Sequence, residues 1–384
     1  MNFPRSQKAE RSAAVISLYF SPAHASHLFA YGKLLRAFGF EVSFVLDKKY
    51  FSFSAFSSVG VEIDAAHYFS GGHPRFAIAI ICNSAITNPK ILDLLRANHT
   101  KVFYVFHEPE PLWSPSLINT EGWVKTIKFI LSTIFSIKTL RRSSGVIVCS
   151  SYALSLYERH YRRYNSNVCD VPLLFDDETG ENRIRQIRDQ KRSFGFIGTA
   201  CRAHSFDEFV AFAKYAIRKG SSIPFKIATA VDLAPILASD RELARLAEDA
   251  RIEIHHGRKL SNEEINDHYL SSFGVWNIYR RSTQSGVLPR AFMAGTPVLA
   301  TRVGSFDQFV REGVTGEFVG SSMDSEAILD AVEKLRSKSP EYVDGCRKAF
   351  RETFYYMAQA TRLGEFIQVS LCDEPAGRLS SISS

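Results

Sequence analysis

The stretch QSGVLPRAFMAGTPVLATRVGSFDQFV, residues 284–310, has the pattern of a loop, a helix, a buried strand and a second loop. Its helical run ends at Gly295, and residues 297–300 follow as an apolar strand. Residues 301–305 then turn and open another helix. A glycine-containing loop beyond a parallel strand exposes unpaired backbone N–H groups, which suit a diphosphate, although such loops also close ordinary helices.

The composition is that of a folded protein with room for two domains. The chain has 384 residues, of which 45% are hydrophobic and 23% charged, and a domain usually takes about 100–200 residues. The net charge of +7 permits a partner that carries phosphates but does not choose among nucleotide, nucleic acid and anionic lipid.

The cysteines and the N-terminus indicate a reducing compartment. The six cysteines show no CxxC pairs and no metal-type spacing, which predicts reduced, buried thiols. The first twelve residues lack the apolar core of a signal peptide, and no apolar run is long enough to span a bilayer. We therefore expect a cytoplasmic protein without a bound metal.

Short apolar strands alternate with helical segments throughout the chain. The predicted strands are 13–20, 41–46, 77–82, 101–106 and 145–149 in the first half, and 193–197, 225–229, 252–255, 274–278 and 297–300 in the second. This alternation is typical of parallel sheets with helices on both faces, and it predicts an α/β fold with two Rossmann-like domains facing each other across a cleft.

A charged segment with few apolar residues, 176–192, separates the two patterns and is the predicted linker. The predicted organisation is a disordered tail at 1–12, an N-terminal domain at 13–175, the linker, a C-terminal domain at 193–340, a long helix at 341–371 that packs back on the first domain, and a disordered tail at 372–384.

Two longer segments carry a family resemblance. They are GTPVLATRVGSFDQFVREGVTGEFV, residues 295–319, and SSGVIVCSSYALSLY, residues 143–157. On these segments, and on its two α/β halves, the chain resembles the GT-B glycosyltransferases, in particular glycosyltransferase family 4. The resemblance implies transfer of a sugar from a nucleoside-diphosphate sugar, bound mainly by the C-terminal domain, to an acceptor held by the N-terminal domain. It also implies a retaining reaction and no divalent metal or other cofactor at the diphosphate.

The chain departs from the family at the glutamate pair that usually engages the donor. The second glutamate aligns with Arg290 and the first lies near Thr283, beside Gln284. An arginine only donates hydrogen bonds, so it does not replace a carboxylate that accepts from a ribose hydroxyl. The family usually has an arginine and a lysine after the first C-terminal strand. In this chain those positions fall near Thr199 and His204, which leaves Arg202 as the nearby permanent cation.

The resemblance places the donor site on a set of residues from several loops, namely Arg202, His204, Gly257, Arg258, Gln284, Ser285, Gly286, Val287 and Arg290. The backbone N–H groups of residues 285–287 are expected to hold the β-phosphate, or else only to cap a helix. Arg202 is expected on the diphosphate and the loop at 257–258 around the base. Arg290 is expected to reach the diphosphate or a ribose oxygen, or else to be a surface arginine paired with Asp307 or Glu312.

Three candidate catalytic residues follow the strand 101–106. His107 is expected to contact the donor sugar or the leaving group, because histidine donates and accepts near neutral pH. Glu108 and Glu110 are candidates for a general base or for orienting the acceptor. The alternatives are a histidine satisfied by backbone and a solvent-facing carboxylate. His24 and His27, in the loop after the first strand, resemble a metal clip, but no third ligand is apparent at a suitable spacing.

Residues 123–142, WVKTIKFILSTIFSIKTLRR, contain five cations, no acidic residue and many large apolar side chains. This pattern predicts a helix that lies in the headgroup layer of an anionic membrane, or else a core helix with a basic rim. Membrane contact favours a lipid-linked saccharide acceptor, surface polysaccharide biosynthesis and a peripheral position on the inner membrane.

Two other functions stay open on the sequence. One is a non-catalytic scaffold or partner subunit with the same fold, and the other is a nucleotide-sugar epimerase, which needs no acceptor. A nucleic-acid partner is not expected, because the dense basic run is interleaved with aliphatic rather than stacking aromatic side chains.

Overall fold

A computed structural model describes residues 11–21, 24–53, 55–71, 74–111, 123–248, 251–320 and 322–372. The described residues fall into two compact units. The first unit lies within Met1–Trp113, Ile127–Asp176 and Tyr356–Ser384, and the second lies within Ser114–Thr126 and Asp177–Tyr355. Almost all of the two predicted disordered tails, residues 1–12 and 372–384, lies outside the described residues.

The first unit is built on a seven-stranded parallel sheet of order β3-β2-β1-β4-β5-β6-β7. Its strands are β1 (Ser12–Ser17), β2 (Glu41–Leu46), β3 (Val61–Asp64), β4 (Ile78–Ile81), β5 (Lys101–Val105), β6 (Gly145–Val148) and β7 (Val168–Asp170). Its helices are α1 (Ala25–Ala37), α2 (Ala65–Tyr68), α3 (Asn88–Ala97), α4 (Trp123–Leu140, of which Ile127 onward clusters here), α5 (Ser151–His160) and, after the second unit, α15 (Ala360–Cys372).

The central strands of this sheet form because their side chains are apolar on both faces. Residues 13–16 and 78–81 are all buried, as expected for parallel strands covered by helices. The returning helix α15 completes this core, because the Phe366 ring packs edge-on against Phe103 at 5.6 Å between centroids. Gly145 leaves room for that ring, since a Cβ at this position would come within 2.7 Å of it.

The second unit repeats the plan with a six-stranded parallel sheet of order β10-β9-β8-β11-β12-β13. Its strands are β8 (Ser193–Ile197), β9 (Phe225–Ala228), β10 (Ile252–His255), β11 (Ser272–Asn277), β12 (Val298–Thr301) and β13 (Gly316–Val319). Its helices are α6 (Glu181–Ile187), α7 (Phe206–Arg218), α8 (Ala234–Ser239), α9 (Arg241–Glu248), α10 (Asn262–Leu270), α11 (Val287–Met293), α12 (Phe306–Phe309), α13 (Ser325–Ser337) and α14 (Ser339–Ala349).

Aromatic side chains form much of the second core. The Trp276 indole on β11 packs against Phe209 and Phe212 of α7, with ring centroids 5.5 and 6.1 Å apart. Trp276 is 2% exposed. This packing fixes α7 on the sheet beside β8, and therefore fixes the loop that joins β8 to α7.

The segment 176–192, predicted as a linker, is structured in this fold. It contains α6, and its acidic residues are engaged: Asp176 pairs with Lys33 within the first unit, at 2.7 Å, and Asp177 pairs with Arg347 within the second. Composition alone does not show which cations approach these carboxylates.

The helix predicted at 341–371 is interrupted. After α14 the backbone widens into a π-helical turn at Phe350–Phe354, becomes extended at Tyr355 and passes through a 3-10 turn at Tyr356–Gln359 before α15. The chain returns to the first unit at Tyr356. Helical periodicity alone did not reveal this break.

The described cysteines are free thiols, in agreement with the prediction of reduced cysteines. Cys82, Cys149 and Cys346 are buried, and Cys169 and Cys201 are half-buried. Among the described residues, no helix is both long enough and apolar enough to cross a membrane.

Candidate functional site

In the second unit the strand order reverses between β8 and β11, and open parallel sheets bind ligands outside the carboxyl ends of the strands at such a point. The two loops that leave these strands are held together. The Arg280 backbone N–H donates to the Ala203 carbonyl at 3.0 Å, and the His204 ring stacks on Tyr279 with centroids 4.2 Å apart. The structure therefore brings the predicted residues Arg202 and His204 to the edge where Gln284 and Ser285 also lie.

Ser285 organises the entry to α11. Its hydroxyl donates to the Asn277 side-chain carbonyl at 3.2 Å and accepts from the Val287 backbone N–H at 3.2 Å. Burial raises the pKa of Tyr279 to about 12, and a hydrogen bond with Ser285 offsets part of this rise. The Val287 amide is thus capped by Ser285, which is the helix-cap alternative for this residue, whereas Gly286 is exposed at the edge.

Several enclosed polar atoms at this edge have no partner among the described residues. They are the Gln284 side-chain oxygen, the Asn277 side-chain nitrogen and the hydroxyls of Ser205 and Ser305. Buried polar atoms are hydrogen-bonded in the great majority of cases. The unmatched acceptor on Gln284 and donor on Asn277 therefore mark a place where water or a polar ligand would complete the bonding. Asn277 was not among the predicted site residues, although it ends a strand whose residues are all buried.

The three predicted arginines have different surroundings. The Arg202 side chain is exposed, and no carboxylate pairs with it within the part of the chain that the structure describes. Arg258, by contrast, is paired with Glu264. It lies with Gly257 after β10, two strands away from β8. Arg202 is thus the cation best placed for an anionic ligand at the β8–β11 edge.

Arg290 points into the second unit. It is 6% exposed, and its guanidinium donates to the side-chain oxygens of Asn266 and Asn262, each at 3.0 Å. Glu178 lies 3.8 Å away. The guanidinium therefore ties α11 to α10. The alternative of a surface arginine paired with Asp307 or Glu312 is wrong, because Arg302 holds both of those carboxylates.

In the first unit, His107 follows β5 and both of its ring nitrogens are engaged. Nε2 lies 2.6 Å from the Cys82 carbonyl, and Nδ1 lies 3.5 Å from the Cys149 sulfur. A carbonyl only accepts, so Nε2 carries the proton and Nδ1 accepts from the thiol. The ring is therefore neutral and satisfied by protein groups, which is the alternative that the sequence left open.

Two further histidines contact His107. Its ring centroid lies 5.1 Å from that of His24 and 5.4 Å from that of His27. His27 Nδ1 bonds to the Leu174 backbone, whereas Nε2 of His27 and Nδ1 of His24 are enclosed without a partner among the described residues. Within those residues, no three His, Cys, Asp or Glu side chains are grouped as metal ligands.

Burial keeps this histidine cluster uncharged. It lowers the pKa of His27 to about 3, with repulsion from His24 acting in the same direction. It also lowers the pKa of His107 well below its ordinary value, and repulsion from both other histidines adds to this effect. Desolvation is the main cause for each, since an imidazolium loses its hydration in the interior.

The two predicted carboxylates lie beside this cluster in the chain. Glu108 is exposed and Glu110 is half-buried, and the Tyr161 hydroxyl donates to the Glu110 backbone carbonyl. The catalytic roles of His107, Glu108 and Glu110 stay predictions.

Comparison with known proteins finds a family model that matches part of the chain. The family model described as Glycosyl transferases group 1 matches residues 191–338, which contain the β8–β11 edge. No curated protein sequence matches this chain.

Solved structures share the whole fold. HepE from Anabaena, crystallised with UDP and glucose, is 14% identical with a TM-score of 0.66, and the alignment covers 94% of this chain and 100% of HepE. A glycosyltransferase from Rickettsia africae is 10% identical with a TM-score of 0.65, covering 94% and 99%. The sucrose-phosphate synthase of Thermosynechococcus elongatus is 12% identical with a TM-score of 0.63, covering 94% and 98%.

The chain thus has the two-domain α/β fold of the GT-B class, as predicted. The match of residues 191–338 to the family model agrees with the prediction of a glycosyltransferase.

Proposed function

We propose that the β8–β11 edge of the second unit binds a nucleoside-diphosphate sugar and that the enzyme transfers the sugar to a saccharide acceptor. The observation that carries this proposal is that, among the described residues, the Gln284 side-chain oxygen and the Asn277 side-chain nitrogen have no partner and Arg202 pairs with no carboxylate, all within the family-matched residues. HepE was crystallised with UDP, so UDP is the first nucleotide to test.

The proposed chemistry needs only groups of this chain at the diphosphate. Arg202 and the exposed backbone at Gly286 would stabilise the negative charge that develops on the leaving diphosphate, while the site aligns the reacting atoms. We propose that the reaction proceeds with retention and without a metal ion. His107, Glu108 and Glu110 are the proposed acceptor-side residues. Since the His107 nitrogens are engaged, His107 would act mainly through its position between His24 and Cys149.

We further propose that the acceptor is a lipid-linked saccharide of surface polysaccharide biosynthesis and that the enzyme meets it as a peripheral protein on the cytoplasmic face of the inner membrane. The support is the segment 123–142, which contains five cations and no carboxylate among its apolar residues. Such helices bind at the headgroup layer.

A nucleotide screen by thermal shift tests the donor site. A ligand that binds only the folded state stabilises it by about 2.7 kcal/mol at one hundred times its Kd. We therefore expect one nucleoside diphosphate among UDP, GDP and dTDP to raise Tm by several degrees, with CMP as a comparison. A protein whose Tm is unchanged by all of them would be a scaffold. Sugar transfer that requires an added acceptor separates a transferase from an epimerase.

Replacing Arg202 by alanine is expected to weaken binding of that nucleotide roughly tenfold, because a hydrogen bond to a charged group contributes about 1.5–3 kcal/mol. Titration calorimetry of Arg202→Ala against the unchanged protein measures this effect. Arg245→Ala, an exposed arginine on α9, is the matched control and should bind as the unchanged protein does. Equal affinities for both variants would remove Arg202 from the site.

A further inference from the structure

Helix α4 shows the reverse of the usual polarity. The side that is buried carries hydroxyl residues, Thr133, Ser136 and Thr139, which are at most 3% exposed. Its large apolar side chains Ile127 and Leu131 are 55% and 51% exposed. A surface helix of a globular domain normally buries its apolar stripe and presents its polar side to water.

Hydrogen bonds fix which side of α4 faces the sheet. The Ser84 hydroxyl lies 2.9 Å from those of Ser132 and Ser136, and the Tyr104 hydroxyl lies 3.0 Å from that of Ser136. Thr133 donates to the Phe129 backbone carbonyl of its own helix. Turning the helix to bury its apolar side would take these partners away from Ser84 and from Tyr104, which is buried.

The exposed apolar residues form one continuous stripe. Ile127, Leu131 and Ile134 recur at spacings of four and three residues, which places them on one side of the helix. Trp123, 62% exposed, precedes them by one turn. Ile86, which is 71% exposed, lies two residues from Ser84, the residue that bonds the buried side of α4. A contiguous exposed apolar area with a polar border is typical of an interaction surface.

Unpaired cations border this stripe. Lys128 and Lys138 are exposed on α4, and just beyond its end the guanidinium groups of Arg141 and Arg163 both lie against the Tyr164 ring, at 4.9 and 4.8 Å. In the described part of the chain, none of these four cations pairs with a carboxylate. The border therefore carries positive charge that a neighbouring anionic surface can neutralise.

We propose that the stripe Ile127, Leu131 and Ile134 rests in the headgroup layer of a membrane that contains anionic lipids, and that Lys128, Lys138, Arg141 and Arg163 bind the lipid phosphates. Two copies of this surface would bring eight cations together across a two-fold axis, which disfavours a second chain as the occupant. The role of this surface in bringing the enzyme to its acceptor rests on the proposed function. The evidence for the surface itself is independent of that proposal.

Vesicle flotation of the full chain tests the surface, with phosphatidylcholine vesicles prepared with and without phosphatidylglycerol. We expect binding only to the anionic vesicles and release at high salt. Lys128→Gln with Lys138→Gln should reduce partitioning roughly fivefold for each cation. Ile127→Ser with Leu131→Ser should reduce it roughly tenfold for each side chain. The matched controls are Val369→Ser, an exposed residue of α15, and Lys48→Gln with Lys49→Gln, and these should bind as the unchanged chain does.

The remaining outcomes overturn the proposal. Equal recovery with both kinds of vesicle would do so, and so would unchanged binding of the α4 variants. A dimer in analytical ultracentrifugation that the Ile127→Ser, Leu131→Ser variant abolishes, without vesicle binding, would assign the face to a second copy. Nucleotide thermal shift on every variant checks that it is folded. It also reports on the donor site separately, so a loss of flotation with an intact nucleotide shift concerns the α4 surface alone.

Discussion

Replacing Arg347 by methionine is expected to lower the free energy of unfolding of the second unit by about 3–5 kcal/mol, the cost of removing one partner from a buried charge pair. The Arg347 side chain is 4% exposed, and its guanidinium bonds the carboxylates of Asp177 and Glu181. It also donates to the Met293 backbone carbonyl at the end of α11. Methionine fills a similar volume but leaves Asp177 without its cation in a half-buried place.

Urea unfolding followed by tryptophan fluorescence in a Trp113→Phe, Trp123→Phe background measures this loss, because the remaining indole, Trp276, lies in the core of the second unit. Arg351→Met is the matched control. Arg351 also pairs with Glu181, but its side chain is 53% exposed, so its loss should cost less than about 1 kcal/mol. If the two variants lost the same small amount, Arg347 would not stabilise the unit in this way. In that case the pKa of Asp177 should be that of an ordinary carboxyl. In the structure, Arg347 holds the pKa of Asp177 below its usual value.

The second large effect is expected in acid. The His27 imidazole has a pKa of about 3 in the folded protein and 6.5 ordinarily. Between these values the unfolded chain binds a proton that the folded chain does not, so stability is complete above pH 6.5 and is lost as the pH falls toward 3. One such group changes the free energy of unfolding by about 1.4 kcal/mol per pH unit in that window. His24 and His107, whose pKa values are also lowered, steepen the slope.

Hydrogen exchange of peptides from β1 and α1, measured by mass spectrometry at several pH values, follows the opening of this region. His27→Asn is expected to reduce the slope of the free energy of opening against pH by the contribution of about one proton. The asparagine amide can still bond the Leu174 backbone. His67→Asn, an exposed histidine on α2, should keep the full slope. The same slope in both variants would contradict the assignment of acid sensitivity to the buried cluster.

The central strands could be predicted from the sequence because each is a short run of mainly apolar residues. Of the four edge strands, β10 was predicted, whereas β3, β7 and β13 were not. β3 reads VEID and its Val61 is exposed, β7 has three residues, and β13 contains the buried Glu317. An edge strand is covered less completely, so its composition is close to that of a loop. Strand pairing, which no local pattern encodes, decided these three cases.

At the candidate sites, the sequence predicted which loops lie together. It did not predict where the side chains of those loops point. Arg202, His204, Gln284 and Ser285 were predicted together, because the carboxyl ends of parallel strands share one edge. The inward direction of Arg290 depends on Asn262 and Asn266 on a neighbouring helix. The contacts of His107 depend on Cys82 and Cys149, which directly follow β4 and β6. Such partners are distant in the chain and become visible only once the sheet is assembled.

The return of the chain to the first unit at Tyr356 has a consequence for biosynthesis. The second unit is synthesised before α15. The residues of the first core are therefore translated in two segments, with the second unit between them. Until Phe366 arrives, Phe103 and the glycine surface at Gly145 lack their covering ring. Domains usually fold as they emerge, and in this chain the domain that begins first is the one that is finished last.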